Sequence, residues 1–243
     1  MSWNNIIDKV QYFKKNNRNT CFRGQGNSSW ELKSSLFRQN LSTLNQFLNN
    51  ERTRYNLFKN LGHIYHNEDD WTLVYIMQHH GVKTRLLDWT EAFATALFFA
   101  SSSWDENVPI TIWMLNPLEL NRKTLGSPQF YTTYNRFYSE KIKNNNGGKG
   151  FPDNSIALHP VRNNTRIVAQ QGVFTIQGNT LDPLDKEFNG DLIKEGILER
   201  IDIDIKYRED VMVFLELSGI NPFSIFPDLE GLARYVNKKT DKL

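Results

Sequence analysis

Residues 92–100 read Ala-Phe-Ala-Thr-Ala-Leu-Phe-Phe-Ala, with no charged side chain and small residues set between aromatic ones. A helix apolar on every side has no place at a water interface and has to be enclosed by other elements. It is also far short of the roughly 20 apolar residues that span a bilayer. The chain is therefore expected to build a packed core around this segment, and 243 residues, 39% of them hydrophobic, suffice for one. With 14 Gly, 8 Pro and 23% charged residues, disordered and collagen-like chains are excluded.

Periodicity supplies the remaining elements. Trp3, Ile6, Ile7, Val10 and Phe13 fall at helical spacing behind Ser2, a suitable N-cap. Thr20 to Arg23 reads as a strand that stops at Gly24. Leu44, Phe47, Leu48, Tyr55, Phe58, Leu61 and Ile64 keep helical phase, which predicts a long helix. Asp69 or Asp70 caps a third helix through Met77 that ends at Gly81. Val82 to Leu87 is predicted as a strand, Asp88 as the start of the apolar helix, and Ile110 to Leu115 as another strand. From about 116 to 164 the chain is polar, with Asn144-Asn145-Asn146-Gly147-Gly148 at its centre and no sustained period, so a long surface excursion is expected. Arg166–Ala169 and Val173–Ile176 read as strand pieces. Ile201, Ile203 and Ile205 alternate with polar residues, as in a half-buried strand. Helices follow from about Arg208 to Leu217 and from Pro227 to Val236. Neither repeat nor linker divides the chain, and one domain over 1–243 is expected.

With 29 Lys+Arg against 27 Asp+Glu, charge selects no partner. Tyr134 to Tyr138 mixes Arg with aromatic residues and could stack on nucleic acid, or be an ordinary solvated loop. Cys21, the single cysteine, can form no internal disulfide. With no signal-peptide pattern at the N-terminus, a cytoplasmic location is expected. GxSxG and HExxH are absent, and the adjacent His79 and His80 cannot both face one metal from a helix, so no metal site is expected. Two segments carry the candidate chemistry. Gly24 and Gly26 bracket Gln25 behind Arg23, a turn that could leave backbone N–H groups and a guanidinium open to an anion; equally, Arg23 could pair with an internal carboxylate. The densest polar block runs from Gln78 to Thr90. In its plain structural reading Asp88 caps the next helix and Arg85 pairs with Asp88 or another acid.

Phe22-Arg23-Gly24-Gln25, Trp30-Glu31-Leu32 with Arg38, the Gln78–Thr90 block QHHGVKTRLLDWT, Ala96–Ala100, Ala169–Phe174 and the Gly219–Gly231 region occur in the order in which the FRG domain carries similar blocks. The chain resembles that family over about residues 15–236, with His80 standing where the family usually has an aromatic residue. The resemblance implies an α+β, ADP-ribosyltransferase-like fold: small mixed or antiparallel sheets forming a cleft, flanked by several helices. It implies NAD as co-substrate, gripped by Arg23 with Gly24 and Gln25, braced by Thr84 and Arg85, and contacted by Gln170. Gln171 would take the position where related transferases use Glu; an amide cannot act as a base, so His79, Asp88 or Glu91 would have to. The implied activity is transfer of ADP-ribose to a protein or nucleic acid chosen by the excursion, in a toxin or phage-defence setting with an antitoxin or other regulatory partner and no membrane. Two other readings stay open: a non-catalytic nucleotide-sensing or protein-interaction module, and a nucleic-acid enzyme.

Overall fold

The computed structural model describes residues 2–105, 107–132, 138–143, 150–162 and 164–241. The aromatic-basic segment 134–137 and the Asn/Gly segment 144–148 lie outside these. The first half of the chain forms α1 (Trp3–Asn16), β1 (Cys21–Gln25), α2 (Leu44–Gly62), α3 (Asp70–His79), β2 (Leu86–Thr90), α4 (Phe93–Ser101) and β3 (Ile110–Leu115). Then come α5 (Pro117–Leu125), β4 (Tyr131–Thr132), α6 (Tyr138–Lys143), β5 (Ile156–His159), α7 (Thr165–Ala169) and β6 (Gly172–Ile176). The chain ends with α8 (Asp191–Lys194), β7 (Leu198–Ile203), α9 (Arg208–Leu217), α10 (Pro222–Ile225) and α11 (Leu229–Thr240).

An α+β architecture results, but not the small sheets that the family resemblance implies. The strands form one seven-stranded mixed sheet in the order β4-β5-β6-β2-β1-β3-β7, with helices packed against it. Its weak point is in the middle. β1 pairs with β3 along its whole length and β2 with β6 along its own, yet β1 and β2 meet only at Phe22 opposite Thr90. Beyond that pair the two strands diverge and leave a fork.

The core follows from the apolar patterns. Ala96, Leu97 and Ala100 of α4 are completely buried between β1, β3 and α9, which accounts for a helix without a polar face. α3 packs Trp71, Leu73, Tyr75 and Met77 with β5 and β6 in a second cluster. Trp89, Trp113, Val173 and Leu198 fill the other face of the sheet.

Several local expectations are corrected. The strand expected at 82–87 is Leu86–Thr90, so Asp88 lies at mid-strand and does not cap α4, whose N-cap Ala92 makes no side-chain bond. β1 does not stop at Gly24 but runs on to Gln25. Arg166–Ala169 belongs to a short helix capped by Asn164, and not to a strand. The region 116–164 carries α5, β4, α6 and β5, and buries Leu120 and Leu158 completely. Among the described residues no helix is long and apolar enough to cross a membrane.

Candidate functional site

Side chains alternate along β1, and that alternation places the site. Phe22 packs in the cluster around α4, and Gly24 lies under the same helix, where a Cβ would sit 1.9 Å from the Ala96 carbonyl oxygen. Gly24 is thus required by helix packing and not by an anion-binding turn. Arg23, between them, lines the cleft. Its guanidinium reaches across the fork, and Nη1 donates to the Asp88 carbonyl oxygen at 2.6 Å. Nε is buried without a hydrogen-bond partner. A buried donor left unpaired costs about 1–3 kcal/mol, and more when charged, so this Nε is an uncompensated donor beside the cleft. Burial lowers the Arg23 pKa to about 10, against the pull of Asp88 and with help from Arg38, and the group stays cationic at neutral pH.

Asp88 faces the cleft from the centre of β2. Gln78, in the last turn of α3, donates from Nε2 to Asp88 Oδ2 at 2.9 Å. Gln78 Oε1 in turn accepts from Thr84 Oγ1 at 2.6 Å, and Thr84 Oγ1 accepts from the Leu86 N–H at 3.1 Å. Thr84 therefore fixes Gln78, and Gln78 fixes one carboxylate oxygen. Among the described residues the other oxygen has no protein partner, and Asp88 is the only carboxylate on the cleft wall. His79 borders the same space. Partial burial and the charge of Arg166 lower its pKa, which keeps the imidazole neutral and able to accept a proton at pH 7.

The far wall is polar backbone over aromatic rings. Thr90 Oγ1 donates to the Gln170 carbonyl oxygen at 2.7 Å, and Gln170 Nε2 donates to the Ile225 carbonyl oxygen at 3.2 Å. The Arg166 guanidinium stands 4.6 Å from the centre of the Phe226 ring and makes no ion pair among the described residues. Tyr75 stacks on Phe174, and its hydroxyl is a second buried donor without a partner. Burial and the charge of Asp70 raise the Tyr75 pKa, so this hydroxyl remains a donor. Trp30, half exposed, stands at the rim. The cavity measures about 370 Å³, within the roughly 300–1,000 Å³ of small-molecule sites.

The structure brings Arg23, Gly24, His79, Asp88 and Gln170 to this cleft and leaves the other sequence candidates outside it. Gln25 is buried, donating to the Glu31 carbonyl oxygen and accepting from Trp113 Nε1. Arg85 is fully enclosed and forks onto Glu51, with Nε and Nη2 at 2.6 and 2.5 Å from its carboxylate oxygens. Of the two partners the sequence left open, Asp88 or another acid, it has the second, Glu51. Gln171 occupies the turn before β6 at φ 47°, exposed and off the cleft wall. Glu91 pairs with Arg162 outside the cleft. Burial raises the Cys21 thiol to about 12, so it is inert at neutral pH. Sequence reasoning missed Arg166 and Tyr75. Arg166 belongs to a helix too short to leave a period, and Tyr75 reads as one more apolar position of α3.

Residues 18–107 match the family model of the FRG domain. That span holds β1, α3, β2 and α4, and with them Arg23, His79 and Asp88; it supports the FRG family for this part of the chain. No curated protein and no solved structure matches the chain significantly.

Proposed function

We propose that the cleft binds NAD and that the protein transfers ADP-ribose from it to a macromolecular acceptor, a protein or a nucleic acid. The observation that carries this reading is the buried, unpartnered Nε of Arg23 at the mouth of the fork. With Arg166 across the cavity there are two guanidinium groups against one carboxylate, a balance that suits a ligand bearing two anionic phosphates. The cavity has room for one nucleotide half, with the other extending past Trp30. In this arrangement Arg23 and Arg166 hold the phosphates, and the unpartnered oxygen of Asp88 accepts from a ribose hydroxyl. The C1′–nicotinamide bond breaks as the acceptor's nucleophilic atom bonds to C1′, and neutral His79 takes the proton which that atom sheds. Holding both reactants in line supplies most of the acceleration such a step needs.

One observation favours a second reading, a nucleotide-sensing module without turnover: no Glu lines the cleft among the described residues, and Gln171 faces solvent. Incubating the protein with NAD labelled in the adenosine moiety, together with cell protein and nucleic acid, separates the two. The transfer reading expects label on an acceptor, lost in Asp88→Asn; saturable NAD binding with no label transfer and no nicotinamide release would leave the sensing module.

A further inference from the structure

We infer that the groove between α2 and the end of α3 receives an acidic amphipathic helix of a partner protein. The groove encloses about 1080 Å³, at the upper end of the roughly 300–1,000 Å³ of small-molecule pockets. Its walls are Leu57, Phe58, Leu61, Tyr65, Ile76 and Val82. Leu57, Leu61 and Tyr65 follow one another at every fourth residue and are 54%, 74% and 85% exposed. Soluble proteins rarely leave so continuous an apolar stripe uncovered unless something docks on it. Leu57 and Leu61 lie one turn apart on α2, with Tyr65 in the turn that follows it, and a second helix can lay its own apolar residues against that wall.

The charge around the groove sets the partner's chemistry. Arg54 and Lys83 line it, and no carboxylate does among the described lining residues. Arg54 Nη2 donates to Gln39 Oε1 at 2.6 Å, while Nη1 is buried with no partner. The Arg54 and Lys83 side chains lining the groove are the counterparts for an Asp or Glu flanking the partner's apolar face. His79 lines both groove and cleft, so the docked helix adjoins the cleft. The inference does not depend on what the cleft itself binds.

The test measures fluorescence anisotropy of a labelled synthetic helix of about 18 residues, long enough to be marginally helical, with Leu on one face and Glu elsewhere. Its counterpart carries Lys in place of Glu, and sodium dodecanoate serves as an apolar anion that is not a helix. The acidic peptide is expected to bind saturably and the Lys counterpart not. Leu61→Glu and Lys83→Glu, both at exposed positions, should each weaken it by at least about tenfold. The inference is overturned by absence of acidic-peptide binding, by equal binding to Leu61→Glu, or by preference for the Lys peptide. Saturation by dodecanoate without peptide binding would make the groove a lipid site instead. A dimer that sediments as such in wild type and dissociates in Leu61→Glu would make it a self-association face.

Discussion

Arg85→Ala removes one guanidinium from the middle of a sealed polar cluster. Arg85 donates twice to Glu51, at 2.6 and 2.5 Å, and from Nη1 to the Gln177 carbonyl oxygen at 3.0 Å. Its guanidinium carbon lies 3.8 Å from the centre of the Phe151 ring. Side-chain exposure is 0% for Arg85 and 3% for Glu51. The variant would leave Glu51 with the Tyr138 hydroxyl, at 2.8 Å, as its remaining side-chain donor. A buried carboxylate stripped of its cation costs about 3–5 kcal/mol, against a total stability on the order of 5–15 kcal/mol. At about 2–4 °C per kcal/mol for a chain of this size, the melting temperature should fall by roughly 6–20 °C. Urea unfolding followed by tryptophan fluorescence, with the slope unchanged, measures the loss. Removing both charges in Arg85→Met with Glu51→Leu should recover most of it, because neither partner is then left buried and unpaired. An Arg85→Ala protein that melts like wild type but no longer binds NAD would refute the reasoning and return Arg85 to the binding site.

Three further outcomes are expected. Gly24→Ala puts a Cβ 1.9 Å from the Ala96 carbonyl oxygen and 2.8 Å from the Ala100 nitrogen, and should cost about 3 kcal/mol as α4 is pushed off β1; an unchanged melting temperature would disprove this packing role. Glu187, raised by burial to about 7 despite its bonds to Ser155, binds its proton more tightly folded than unfolded. Its contribution to stability should therefore fall by about 3 kcal/mol as pH rises from near 4.5 to about 7, a slope that Glu187→Gln should lack; matching pH profiles for the two proteins would reject it. Arg166→Ala should leave the fold intact, since its guanidinium makes no ion pair among the described residues, and weaken NAD about tenfold, or about 1.4 kcal/mol, with Arg166→Lys partly restoring it. Unchanged affinity by calorimetry would remove Arg166 from the site.

Helices with a clear apolar period were legible. Ser2 caps α1 and Asp69 caps α3 as their positions suggested, and α2 covers most of the predicted stretch. Asp88 was misplaced because an acidic residue ahead of a helix looks like a cap, whereas Leu86, Leu87, Trp89 and Thr90 around it carry strand propensity and pair with β6. The stretch 116–164 read as an excursion although it held signals at both ends of α5: Asn116 as N-cap, Pro117 at the first turn and Gly126 in the left-handed conformation. The pairing of Arg85 with Glu51 spans 34 positions and leaves no local trace. Arg23 and Asp88 were legible as site candidates, but their contact is set by the parting of two strands, and the sequence of either strand alone does not encode it.

On the proposed function the guanidinium of Arg23, whose Nε alone lacks a partner, holds a phosphate of NAD. Isothermal titration of NAD into wild type, Arg23→Ala and Arg23→Lys tests it most directly, with melting curves for each protein alongside. Saturable binding by wild type is expected, weakened about 10- to 150-fold in Arg23→Ala, which is about 1.5–3 kcal/mol for a lost charge-assisted bond. Lys should rescue little of it, because an ammonium cannot reproduce the fork. Binding that is equally tight in Arg23→Ala, or no binding by a folded wild-type protein, would contradict the claim.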